Sequence, residues 1–294
     1  MEWGYAKKFV IVLLILLNIC LLGLNYRQSR ETAMTASQER AVFEVLSENG
    51  ITMYTDLILE YEPMSRLACA VPTYTKEELE RMFFQGERTT VIPGAEQTVY
   101  RGADAALTIS GYHGSLRYPG VATGKGELQR GAALETAEQY LAQLQGAFAD
   151  FVADHTSETE EGFRVTFYEQ YRDRMIFSNY IAIYVSESGV YQVTFSYCPV
   201  IGPNGDEKDI FYSDEALLTF LREWKKSNLG ETATISRMEL GYDMTEKDSA
   251  SEQEICYAVP CYYVYLMERE EPVRINAYTC QMVEPLVSDA ASVQ

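Results

Sequence analysis

Two histidines, His113 and His155, are all the imidazole that 294 residues provide. They stand far apart, and neither falls in H-E-x-x-H or another metal spacing. G-x-S-x-G, S-x-x-K and a P-loop lysine are also missing, so the familiar marks of acyl transfer and phosphate binding are absent. A Cys69 or Cys198 nucleophile served by His113 has no local support. His113 lies in a Gly111-Tyr112-His113-Gly114 turn and His155 in an acidic loop, and both read as solvated residues. Cysteine is sparse. Cys20 sits in an apolar run, and Cys69, Cys198, Cys256, Cys261 and Cys280 form an odd set without a C-x-x-C pair, which predicts free thiols used as small buried hydrophobes.

Positive charge is scarce too. With 24 Lys and Arg against 43 Asp and Glu the chain carries a net charge of −19, which repels polyanions and excludes nucleic acid as a partner. Acids cluster at Asp206, Glu207 and Asp209 and at Glu268, Glu270 and Glu271. Neither cluster has the alternation and central glycine of a calcium loop, so both read as solvated turns. No catalytic, cofactor or metal residue is assigned.

What the chain does have is one long apolar run. From Phe9 to Leu24 no residue is charged and only Asn18 is strongly polar. At about 1.5 Å per residue this covers roughly 24 Å of a hydrocarbon layer about 30 Å thick. The flanks make up the difference: Lys7 and Lys8 can snorkel, and Trp3 and Tyr26 suit the two interfaces. A cleaved signal peptide shares the charge-then-apolar order, but Asn25-Tyr26-Arg27-Gln28 offers no small-x-small cleavage site. The segment therefore predicts an uncleaved single-pass anchor: residues 1–8 as a tail, 9–25 as the span and 26–36 as a stalk. Asn18 lies near mid-span, where an amide is costly without a partner. Ile11, Asn18 and Asn25 repeat at seven-residue spacing, the pattern of a helix-docking face.

Glu2, Trp3, Lys7, Phe9, Leu16, Leu17 and Asn18, with Phe-Val-Ile followed by Leu-Ile-Leu-Leu-Asn-Ile, resemble the start of the YycI family, membrane-tethered auxiliary proteins of the WalK/WalR (YycG/YycF) two-component system. The chain length and the Ala277-Tyr278-Thr279 strand are similar as well. The resemblance implies a cytoplasmic N-terminus and an extracellular body at the cell membrane. It implies as partners a sensor histidine kinase and a YycH-like sister protein in a hetero-oligomer.

Beyond the stalk, hydrophobic periodicity predicts helix over 37–49 and strands over 51–59 and 66–71. Thr75-x-x-Glu78 then opens a capping-box helix, and short strands follow at 98–100, 105–109 and 115–118. A Gly- and Lys-rich loop over 119–131 separates an expected membrane-proximal lobe, 37–125, from a distal lobe, 126–294. The distal lobe reads as helix over 133–148, alternation at Phe163, Val165 and Phe167, and strands over 176–185 and 190–197. It continues with a helix capped by Asp214 and strands at 234–242, 255–266, 273–278 and 281–286. Helix followed by antiparallel meander, repeated, is an α+β pattern, and at the level of architecture it resembles PepSY-like units. The sequence thus points to a non-enzymatic membrane-anchored regulator of a histidine kinase controlling cell-wall metabolism. A cell-wall or peptide-binding module and, third, an extracytoplasmic hydrolase are the alternatives.

Overall fold

A computed structural model describes residues 13–15, 17–18, 36–59, 61–144, 148, 150–227, 231–248, 255–269 and 271–283. These residues form a mixed α+β protein with a large, mostly antiparallel sheet. Two compact units emerge. The first gathers Met1–Pro63, Asp209–Glu239 and Val264–Met282, the second Met64–Lys208, Leu240–Tyr263 and Val283–Gln294. The expected partition at residues 125 and 126 follows chain order, and both of those residues fall in the second unit. The division runs instead through two long strands. It falls after Glu239 in β12 (Ala233–Asp248) and after Tyr263 in β13 (Ile255–Leu266).

In the first unit, α1 (Ala36–Glu48) buries Val42 and Leu46. Gly50, at φ +78°, then turns the chain through the left-handed region that a side chain would resist. The following β1 (Ile51–Met53) is far shorter than the strand expected over 51–59. It pairs in parallel with the start of β12, Ile51 opposite Ala233. The helix α4 (Ser213–Ser227) buries Leu217, Phe220, Leu221 and Trp224 and leaves Leu218 exposed. Its start corrects the expected cap: Asp214 lies inside the first turn. The Ser213 N–H donates to the Tyr61 hydroxyl at 3.1 Å and the Tyr212 N–H to the Glu215 carboxylate at 3.0 Å, so these two donors at the helix start are met without Asp214. β14 (Val273–Asn276) pairs with β13 and with β15 (Gln281–Val283).

The second unit carries most of the strands. In chain order they are β2 (Met64–Ala70), β3 (Thr90–Pro93), β4 (Thr98–Arg101), β5 (Ala106–Ser110), β6 (His113–Arg117), β7 (Phe151–Thr159), β8 (Gly162–Tyr171), β9 (Arg174–Ser186), β10 (Gly189–Ser196) and β11 (Val200–Lys208). The lateral order is β11-β2-β13-β12-β9-β10-β6-β5-β4-β3, with β7 joined through β8 to β9. Edge strands invite pairing with other chains, and here the edges are blunted. The exposed Asp206 and Glu207 stand on β11. At β3, Glu80 takes the Thr89 N–H at 2.5 Å, and Pro93 has no N–H to give.

Two sequence expectations fail in this unit. The acidic stretch holding His155 is a strand, paired antiparallel with β8 from Phe151 opposite Glu169 to Thr159 opposite Gly162. Asp206 and Glu207 likewise lie in a strand and not in the expected turn. β7 is mostly half-covered and β11 mostly exposed, so neither shows the apolar alternation that marks a strand.

Two helices cover one core in this unit. The helix α2 (Lys76–Phe83) buries Leu79 and Phe83, and α3 (Arg130–Gln143) buries Ala133 and Ala137, whose small side chains let its backbone approach the sheet. Phe195, 1% exposed, sits at the centre: it stacks on Phe83 at 5.2 Å and meets Phe148 edge-on at 5.7 Å. Its partner across the ladder is Gly114, where an added Cβ would lie 2.1 Å from the ring. The bulk of Phe195 therefore dictates the glycine.

Candidate functional site

Of the docking residues expected in the apolar run, only Asn18 is described, and Ile11 and Asn25 lie outside the described residues. So do the interface residues Trp3, Lys7, Lys8 and Tyr26. Asn18 is in helical conformation, and its Nδ2 donates back to the Leu14 carbonyl at 2.9 Å. That bond lowers the cost of the amide in a lone helix and leaves one N–H and the carbonyl oxygen for a neighbour. Leu13, Leu14, Ile15 and Leu17 are each more than half exposed. Among the described residues no helix is long and apolar enough to cross a membrane.

The residues weighed for chemistry are held in structural roles. Cys69 is fully buried and stands opposite Cys256 across the β2–β13 ladder. Burial first, then the nearby Glu169 and Cys256, push its thiol up to about 12, so it carries no thiolate at neutral pH. His155 Nδ1 is 2.7 Å from Asp154 on the same strand, and His113 opens β6. Among the described residues no three His, Cys, Asp or Glu side chains converge as a metal ion requires.

One buried polar knot stands out. Asn179 on β9 is fully buried and spends its amide completely: Nδ2 donates to the Cys198 carbonyl at 2.7 Å and to Glu169 Oε2 at 2.5 Å, and Oδ1 accepts the Cys198 N–H at 2.9 Å. Burial raises the Glu169 carboxyl above the ordinary range, opposed by the Asn179 bond. Every polar atom of the Asn179 side chain is matched, so its amide has no N–H left for a ligand.

The contrasting feature is a cleft of about 900 Å³ bordered by α2 and α3 on the second unit. Phe83 and Leu144 give it an apolar base, with Met82 and Tyr74 beside them. Tyr118, just past β6, and Tyr140, on α3, form a wall: their rings meet edge-on and their hydroxyls are 2.8 Å apart. Burial raises the pKa of both phenols, so both stay neutral, and one bond between two hydroxyls leaves one O–H to donate elsewhere. Two charged side chains line the cleft, Glu78 and Arg81. Glu78 is engaged in the capping box of α2: it bonds the Thr75 N–H at 2.9 Å and hydroxyl at 2.8 Å, and these bonds hold its carboxyl below the usual range. Arg81 is exposed. Periodicity over 133–148 gives Tyr140 a face of its helix but no partner, so the Tyr118–Tyr140 pair and its cleft have no signal in the sequence.

A smaller depression of about 450 Å³ in the first unit lies around Trp224 and Arg269. Two of its charged side chains are engaged: Arg269 lies over the Trp224 ring at 4.7 Å, and Glu268 accepts the Thr234 N–H at 3.0 Å, while Glu231 is exposed.

No family model matches the chain, and no curated protein matches it. Similarity is found among solved structures. An uncharacterized protein from Eubacterium rectale is similar over 80% of this chain and 89% of its own, with a TM-score of 0.50 and 10% identity. The C-terminal domain of Bacillus megaterium YpeB is similar over 71% of this chain and 93% of its own, with a TM-score of 0.38 and 14% identity. At 10% identity the first likeness is one of fold alone.

Proposed function

We propose that this chain is a single-pass, membrane-anchored regulator whose α+β body lies outside the cell and whose apolar helix acts on a sensor histidine kinase of the WalK type. The observation that carries the reading is the uncharged run from Phe9 to Leu24 ahead of a strongly acidic body, together with the resemblance of Glu2, Trp3, Lys7, Phe9, Leu16, Leu17 and Asn18 to the start of the YycI family. The outward Leu13, Leu14, Ile15 and Leu17 side chains suit lipid or another helix. The body belongs to this reading as a PepSY-like set of helix-plus-meander units. Asn18 retains a donor and an acceptor for a neighbouring span, and such interhelical bonds are worth about 0.6 to 2 kcal/mol. A differential packing energy of about 1 to 3 kcal/mol between two kinase arrangements shifts output several-fold. A YycH-like sister protein is the second expected partner. The test is Asn18→Leu, with Asn18→Ala as companion, in a two-hybrid assay against the kinase. Weakened association is expected, whereas undiminished association and unchanged cell-wall gene output overturn the docking role.

A second reading, an extracytoplasmic peptide-binding module, is favoured by one observation: the cleft between α2 and α3 joins an aromatic lining to unspent polar groups.

A further inference from the structure

The cleft has features that narrow its ligand, an inference resting on the peptide-binding reading. In a chain of net charge −19, the charged groups of the lining are a carboxylate already bonded at Thr75 and the exposed Arg81. Glu78 keeps its negative charge, held at the start of α2 by the Thr75 bonds, and Arg81 is the lining's one cation and one guanidinium. A guanidinium presents a planar fork of donors that matches a carboxylate. The Tyr118–Tyr140 pair contributes a surplus O–H, which also seeks an acceptor. Phe83, Met82 and Leu144 supply apolar surface for side chains. The helix α2, eight residues long, spans about 12 Å, the length of three to four extended residues at roughly 3.3 Å each. An acyl chain would satisfy the base but make no use of the surplus tyrosine O–H, whereas a peptide backbone supplies acceptors and donors at every residue.

We propose that this cleft binds the C-terminal end of a short peptide, its terminal carboxylate on Arg81 and its last apolar side chains against Phe83, Met82 and Leu144.

The experiment uses the full chain in lipid nanodiscs and fluorescein-labelled pentapeptides ending in Leu, Phe or Tyr, each made as the free acid and as the C-terminal amide. Fluorescence anisotropy is expected to give saturable binding of at least one free acid, with its amide weaker by at least about tenfold. Arg81→Gln is expected to remove that preference while leaving the circular dichroism spectrum and melting temperature unchanged. Equal binding of acid and amide, or an acid preference that survives Arg81→Gln, overturns the carboxylate assignment and leaves the peptide reading standing. Absence of binding by every peptide up to millimolar concentration overturns both. Dodecanoate that binds in place of the peptides, and loses affinity in Met82→Asp, assigns the cleft to lipid and likewise overturns the proposal.

Discussion

The second unit holds two polar constructions of opposite character: the knot at Asn179 and the wall at Tyr118 and Tyr140. In the knot a fully buried amide finds three partners between 2.5 and 2.9 Å, and nothing is left over. At the cleft two phenols share one bond and keep a donor in reserve. Saturation fixes one conformation of a strand, and a deficit leaves a surface that a partner can complete.

The comparison can be broken from the core outward. Phe195→Ala removes the ring that joins α2, β6 and the Phe148 turn, and it is expected to cost about 3 to 5 kcal/mol in chemical denaturation. Asn179→Ala strands the buried Cys198 N–H and carbonyl and is expected to cost about 3 kcal/mol. Gly114→Ala drives a methyl into the Phe195 ring and is expected to cost about 1 to 3 kcal/mol, with relief in a Gly114→Ala, Phe195→Leu double variant. Thr75→Ala opens the capping box and is expected to cost about 1 kcal/mol. Tyr118→Phe, at the cleft, is expected to leave the melting temperature nearly unmoved while weakening peptide binding. A stability loss as large as that of Asn179→Ala would erase the contrast between knot and wall.

Titration sharpens the same contrast, with opposite signs. The Glu169 carboxyl is raised by burial, so the stability it contributes is full below the ordinary carboxylate pKa and is lost as pH rises through its raised value. Glu169→Gln keeps an acceptor for Asn179 and is expected to flatten that loss in melts between pH 4 and 7. Glu78 is held low by the Thr75 bonds, so its contribution is present above the ordinary carboxylate pKa and lost as pH falls through its depressed one. Glu78→Gln is expected to flatten the acid limb alone.

Much of this architecture was written locally. Thr75-x-x-Glu78 opens α2 with both capping bonds in place, and Phe163, Val165 and Phe167 are buried as their alternation requires. The β13 bounds, 255 and 266, are those read from the sequence. The misses share one cause. β7 is mostly half-covered and β3 fully exposed, so burial imposed no period on either. Asp214 looked like a cap because Tyr61, 152 residues from Ser213, could not be seen supplying the bond. The same distance problem hid the cleft: Tyr118 and Tyr140 belong to different elements, and periodicity gives each residue a face but never a partner. The docking face expected at Ile11, Asn18 and Asn25 rests on equally local spacing, and its meaning depends on a second helix.

The most direct test of the account is the side of the membrane on which the body lies, read by alkaline phosphatase fused after Gln294 and assayed on intact cells. Enzyme activity in the membrane fraction, with the first thirty residues retained, is the predicted result. A silent fusion, or active protein shed into the medium without those residues, contradicts it.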